Sequence, residues 1–277
     1  MFVSVAKGNE DVLEVEAATL DYVTLVLVAS ICIGIWFFRS RRSTLPRNVN
    51  IDPKITQTTA VLLFGAMFLL GGIGAKFGSS QVAEPSLEKT AWMYSSAMIA
   101  QIPVLLTYFL LHKEKRFVGI VYVSVITYIV FVPAALSVAS IIHSLFSSFG
   151  WEQANQVGHE TLAELIGHKW GLVDWVVIIC VTVGAGIFEE ILYRGLILPF
   201  FMSIIGRKTP WLAITTTSGL FALMHISTSM PSAILGLFIL SIGLCWARIK
   251  SGGILSPILI HITFNAMNIA FVYSTHL

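Results

Sequence analysis

Eight stretches of this chain are almost uninterruptedly apolar: 22–38, 58–75, 91–111, 117–142, 172–205, 211–227, 231–247 and 254–274. A helix that crosses the hydrocarbon core of a bilayer needs about 20 such residues. Lipid offers the backbone no hydrogen bonds, so the only spanning structures are helices and closed barrels. Runs of this length without polar alternation select the helix. The expected fold is all-α, a polytopic transmembrane bundle of about eight spans. Composition agrees, since charged residues make up 12% of the chain, against about 25% in a soluble domain. The run 172–205 is too long for one straight crossing and contains Pro199. It predicts a kinked helix, or a span followed by an interfacial helix.

The positive charges set an orientation for these spans. With the N-terminus outside, thirteen of the seventeen Lys and Arg, among them Arg39, Lys113, Arg207, Arg248 and Lys250, fall on the cytoplasmic side. That bias follows the positive-inside rule and predicts a multi-pass plasma-membrane protein with both termini on the non-cytoplasmic face. The chain then reads as an acidic tail (1–21), motif-free transmembrane helices (22–146), an outer loop (147–171) and a last group of helices (172–277). Glu10, Asp11, Glu14, Glu16 and Asp21 precede the first apolar run, which does not fit a cleavable signal peptide. A net charge of +2 implies no nucleic-acid partner; the expected partners are membrane lipid and a hydrophobic or membrane-anchored peptide. Cys32, Cys180 and Cys245 lie in apolar runs and form no CxxC pair. In the outer loop Glu160, Glu164 and His168 recur every four residues. That row could face a metal, but it reads more simply as the solvated side of an interfacial helix.

Polar groups inside the spans carry the chemistry. Of fifteen acidic residues, thirteen lie in the N-terminal tail, in loops or at span edges, as Asp174 does; only Glu189 and Glu190 fall inside a span, and no Asp or Glu follows them. Placing an ionisable group at that depth costs at least about 2.5–3.5 kcal/mol, so such groups are usually functional. FALMH puts His225 in the sixth run, and HITFN puts His261 and Asn265 four apart on one face of the last, with Asn268 on the same side. Counted at about 1.5 Å per residue from the flanking bases, all three sites reach hydrocarbon depth. Each has a plainer reading. Glu190 and Arg194, at i and i+4, can neutralise each other as a buried pair. His225 can be a histidine bonded to a neighbouring helix, and Asn265 can be interhelical glue worth about 0.6 kcal/mol. A pair of glutamates, two histidines and an asparagine together favour a shared site.

EEILYR fits E-E-x-x-x-R, FALMH fits F-x-x-x-H and HITFN fits H-x-x-x-N, in that order. Over about 172–277 the chain thus resembles the CAAX-processing and bacteriocin-processing (CPBP, or Abi) family of intramembrane proteases. The resemblance implies an intramembrane endopeptidase. Glu189, assisted by His225, would activate a water; His261 and Asn265 would hold the tetrahedral oxyanion; Glu190 and Arg194 would organise the site. Amide and imidazole donors aimed at a developing oxyanion typically contribute about 2.7–4 kcal/mol each. Gly184, Gly186 and Gly195 flank the carboxylates, where they would permit close backbone approach.

No cofactor is favoured. The alternative is zinc held by Glu189, His225 and His261, with Glu190 as base; against it, HExxH is absent and the ligands come from three separate helices. Two other functions compete with the protease: a non-catalytic scaffold or immunity-type protein on the same fold, and a proton-coupled transporter using the buried carboxylates as a relay.

Overall fold

The apolar runs become helices over most of their described residues. The computed structural model describes residues 28–37, 39, 45, 55–112, 117–151, 160–165, 170–205 and 210–275. The acidic tail, the start of the first run, His168 and many of the orienting bases, such as Lys113 and Arg207, lie outside the described residues. The helices are α1 (Val28–Phe37), α2 (Gln57–Ser79), α3 (Leu87–Leu111), α4 (Phe117–Ser148), α5 (Glu160–Glu164), α6 (Leu172–Ile204), α7 (Pro210–Leu223), α8 (Pro231–Ser251) and α9 (Leu255–Thr275). Among the described residues there is no β-strand. By length and composition α2, α3, α4, α6 and α8 can cross a membrane, while Val28–Phe37 and Leu255–Phe271 are shorter apolar helices. The chain is an all-α, multi-pass membrane protein, as the apolar runs predict.

Helix starts follow local chemistry. The Thr56 hydroxyl accepts from the Thr59 N–H at 3.2 Å and opens α2, and the Ser86 hydroxyl accepts from Lys89 N–H at 3.3 Å and opens α3. These side chains satisfy donors that a helix N-terminus otherwise leaves orphaned. Ahead of α6, the Asp174 carboxylate accepts the Gly171 N–H at 2.8 Å. Trp170 sits at this end with its ring 4.4 Å from that of Tyr273, a pairing typical of the amphipathic rings that anchor helices at a membrane interface.

The packing divides the chain into two units. One comprises 1–44, 126–163 and 218–243; the other comprises 45–125, 164–217 and 244–277. Within the first, the Phe37 and Phe131 rings meet edge to face at 5.8 Å, and Ser30 and Ser137 share a hydroxyl hydrogen bond at 3.2 Å. The second unit surrounds α6. Its α2 and α3 pair so closely that a Cβ at Gly74 or Gly78 would strike the α3 backbone at Ser96 or Trp92. Small residues of this kind let helices approach in lipid, where no hydrophobic force drives them together. Tyr108, Ile191, Leu196, Ile254 and Ile258 form a buried apolar cluster there. Ser124 and Ser256 tie the start of α4 to α9 at 2.9 Å.

Candidate functional site

FEEILYRG lies on α6, and α6 is not a regular helix. Two π-helical segments, Cys180–Gly184 and Ile191–Ile197, bracket the α-helical turn Ala185–Glu190 that carries both glutamates. The sequence predicts a disturbance at Pro199; in the structure the chain runs on as one helix, and the irregularity takes the form of these widened turns. Single π turns within α-helices occur often at functional sites because they re-aim the side chains beyond them.

Each widened turn displaces a carbonyl from the helical ladder, and a side chain from another helix meets it. At the first, the Ala185 N–H donates to Cys180 O and Thr182 O, passing over Val181 O. The Asn265 amide on α9 donates to Val181 O at 2.8 Å. At the second, the Leu198 N–H donates to Tyr193 O, and Arg194 O accepts from Arg248 Nε at 3.3 Å.

Between these turns sits an ionic network. Glu190 Oε1 accepts from Arg194 Nη1 at 2.7 Å and from His261 Nδ1 at 2.7 Å. Glu190 and Arg194 are fully buried and His261 nearly so. Two charge-capable donors on one oxygen hold Glu190 as the acceptor, so the His261 ring donates through Nδ1 and turns Nε2 the other way. That nitrogen lies 4.0 Å from Glu189 Oε2. The separation exceeds a hydrogen bond, but an oxygen bonded about 2.8 Å from each atom would fit between them at an angle of about 90°. Glu189 retains 30% side-chain exposure while Glu190 is fully enclosed, but Glu189 Oε2, the oxygen nearest His261, is itself buried. Close contact supports the placement. A Cβ at Gly186 would come 2.5 Å from Ile262 Cγ1, beside His261, and one at Gly195 would lie 2.7 Å from the Tyr108 ring.

His225 belongs to the other unit. The sixth apolar run is expected to stay helical through 227, but α7 ends at Leu223, leaving His225 in the turn that follows. The His225 ring is the cause. Its Nδ1 lies 2.8 Å from Phe221 O, the carbonyl that an α-helix would pair with the His225 N–H, and that N–H donates to Ala222 O instead. A carbonyl only accepts, so Nδ1 is the donor.

The structure therefore brings Glu189, Glu190, Arg194 and His261 together, with Asn265 one helical turn from His261 and bonded to the glutamate helix. Asn268 is not part of this group: its amide donates to Phe264 O within α9 at 3.0 Å. Sequence reasoning missed Arg248. Counted as a cytoplasmic loop base, it is fully buried and reaches the glutamate helix. The signal was Pro199, five residues beyond Arg194, which announces a carbonyl in need of a donor.

Residues 170–267 match the model of the family described as type II CAAX prenyl endopeptidase Rce1-like. A relative in Escherichia coli, described as an uncharacterized 24.3 kDa protein, is 35% identical over 83 residues, 30% of this chain and 38% of that protein. The chain thus spans little more than a third of the length of that relative. No solved structure matches it significantly. The matched segment contains all three motifs, so the resemblance read from them is borne out: residues 170–267 are similar to the Rce1-like type II CAAX prenyl endopeptidases.

Proposed function

We propose that the protein is an intramembrane endopeptidase that hydrolyses a peptide bond of a hydrophobic or membrane-anchored substrate, prenylated where the host makes such tails. The observation that carries this reading is the 4.0 Å interval between Glu189 Oε2 and His261 Nε2, framed by the buried Glu190–Arg194 pair. A water in that interval loses a proton to the Glu189 carboxylate as its oxygen attacks the scissile carbonyl carbon. The electron pair of the C=O moves to oxygen and gives the tetrahedral oxyanion. Collapse breaks the C–N bond, and the proton held by Glu189 passes to the leaving nitrogen. The products are a carboxylate end and an amine end.

His261 serves the oxyanion only with a proton on Nε2, because Nδ1 already donates to Glu190. The working form is then an imidazolium whose charge Glu190 balances. A charged donor in a water-poor site stabilises an oxyanion more than a neutral one. Asn265 offers its second amide hydrogen, the first being used on Val181 O. His225 takes the assisting role that its motif implies.

Zinc on Glu189, His225 and His261 is the alternative that the motifs imply, but among the described residues no group of three or more His, Cys, Asp or Glu is placed to hold a metal ion. Two histidines and a carboxylate are residue types found in catalytic zinc sites, and each histidine here bonds an oxygen through Nδ1. Bound zinc would supply Lewis-acid polarisation of the carbonyl. The metal-free glutamate reading is preferred because the ligands share no helix and HExxH is absent.

Comparing the membrane proteomes of cells carrying the native chain and Glu189→Gln tests the function. An uncut precursor that accumulates only in the variant supports the protease. A phenotype retained by Glu189→Gln would show the scaffold instead, and proton-coupled flux in vesicles without hydrolysis would show the transporter.

A further inference from the structure

A buried arginine outside all three motifs completes the glutamate helix. In the second π segment the hydrogen bonds close over five residues, as in Leu198 N–H to Tyr193 O. The next bond of that series would run from residue 199 to Arg194 O. Residue 199 is proline and has no N–H to give. The alternative α-type donor to Arg194 O, the Leu198 N–H, is the one already bonded to Tyr193 O. The combination of a widened turn and a proline therefore removes both backbone donors from this carbonyl. A buried carbonyl that no water can reach is costly to leave without a donor. The donor that reaches it is Arg248 Nε at 3.3 Å, from a side chain with no solvent exposure.

We infer that Arg248 is a positioning residue: it stands in for the N–H missing from Pro199 and thereby fixes the π segment that carries Arg194 and adjoins the turn bearing Glu189 and Glu190. The bond goes to the backbone of Arg194, whose side chain is itself paired with Glu190. A shift of that peptide would move the guanidinium, the Glu190 carboxylate and, through Nδ1, the His261 ring. With Asn265 on Val181 O at the other end, the glutamate turn is held at both of its widened flanks. The link to catalysis rests on the protease reading; the link to Pro199 does not.

The test is a double-mutant cycle of Arg248→Met and Pro199→Ala in the full chain, read twice. Alanine at 199 restores a backbone N–H, so it should relieve the need for Arg248. The first readout is thermal unfolding of the purified protein in detergent. Arg248→Met should lower the midpoint clearly in the native background and by less than half as much with Pro199→Ala. Equal losses in both backgrounds overturn the inference, whether or not any substrate is cut. The second readout is cleavage of a lipidated peptide. Arg248→Met should reduce kcat on the order of tenfold or more with KM little changed, and Pro199→Ala should recover most of that loss. Coupled unfolding with unaltered kcat would overturn the positioning role. Coupled unfolding in a native protein that cuts nothing would leave the brace standing and refute the protease.

Discussion

Glu190 and His261 meet through Oε1 and Nδ1 at 2.7 Å, joining α6 to α9 across 71 residues of sequence. The same oxygen takes the Arg194 guanidinium. One buried carboxylate therefore sets the rotation of the imidazole and which of its nitrogens faces Glu189.

Replacing Glu190 by Gln should damage both stability and rate. It leaves the Arg194 charge buried without its partner, a change that typically costs about 3–5 kcal/mol. Loss of an orienting partner behind a working histidine typically lowers activity 10–100-fold. Thermal unfolding and kcat of the variant check this. Adding Arg194→Met to Glu190→Gln should recover part of the stability, since the buried guanidinium is then gone, and none of the activity.

Asn265→Leu separates two roles of one amide. Loss of the bond to Val181 O should cost about 0.6–1.7 kcal/mol, the range for interhelical bonds in a membrane protein. Loss of an oxyanion donor should lower kcat by roughly 10²–10³. A rate that falls less than tenfold while unfolding shifts would make Asn265 a clamp on the first widened turn and nothing more.

Gly195→Ala should destabilise the protein by about 1–3 kcal/mol, the usual cost of overpacking. The added methyl would lie 2.7 Å from the fully buried Tyr108 ring, which is also stacked on His112 at 5.2 Å and so has little room to retreat. Equilibrium unfolding in detergent measures it, and a neutral effect would mean that α3 yields at this contact.

A strong zinc chelator should leave the cleavage rate of the purified protein unchanged under the glutamate mechanism. Loss of activity with the chelator, restored by added zinc, would reverse the preference and make the mechanism zinc-dependent.

The helices were legible because lipid forces apolar runs into them, and the Glu190–Arg194 pairing followed from a spacing of four residues. The shape of α6 was not legible. Pro199 suggested a bend, but whether a helix bends or widens depends on whether another chain segment can feed the displaced carbonyls. Here the donors are Asn265 and Arg248, 84 and 54 residues away from the carbonyls they serve. Arg248 was misread because charge-counting treats every arginine near a helix end as a solvated one. His225 was placed on a helix because its neighbours are apolar; its ring competes for the Phe221 carbonyl and stops the helix, an effect that hydropathy cannot register.

The two widened turns of α6 also change how its surface is phased. Each extra residue per turn rotates everything downstream by about 100° relative to an ideal helix. The residues before 180, between 185 and 190, and after 197 therefore belong to three angular frames, and a single helical wheel drawn through 172–204 mixes lipid-facing and inward-facing positions. Deleting one residue from Ile191–Ile197 would bring the second and third frames into line. It would swing Pro199 and Met202 to new faces while leaving the motif letters EE intact, so a variant of that kind would look competent on paper and be misassembled in the bilayer.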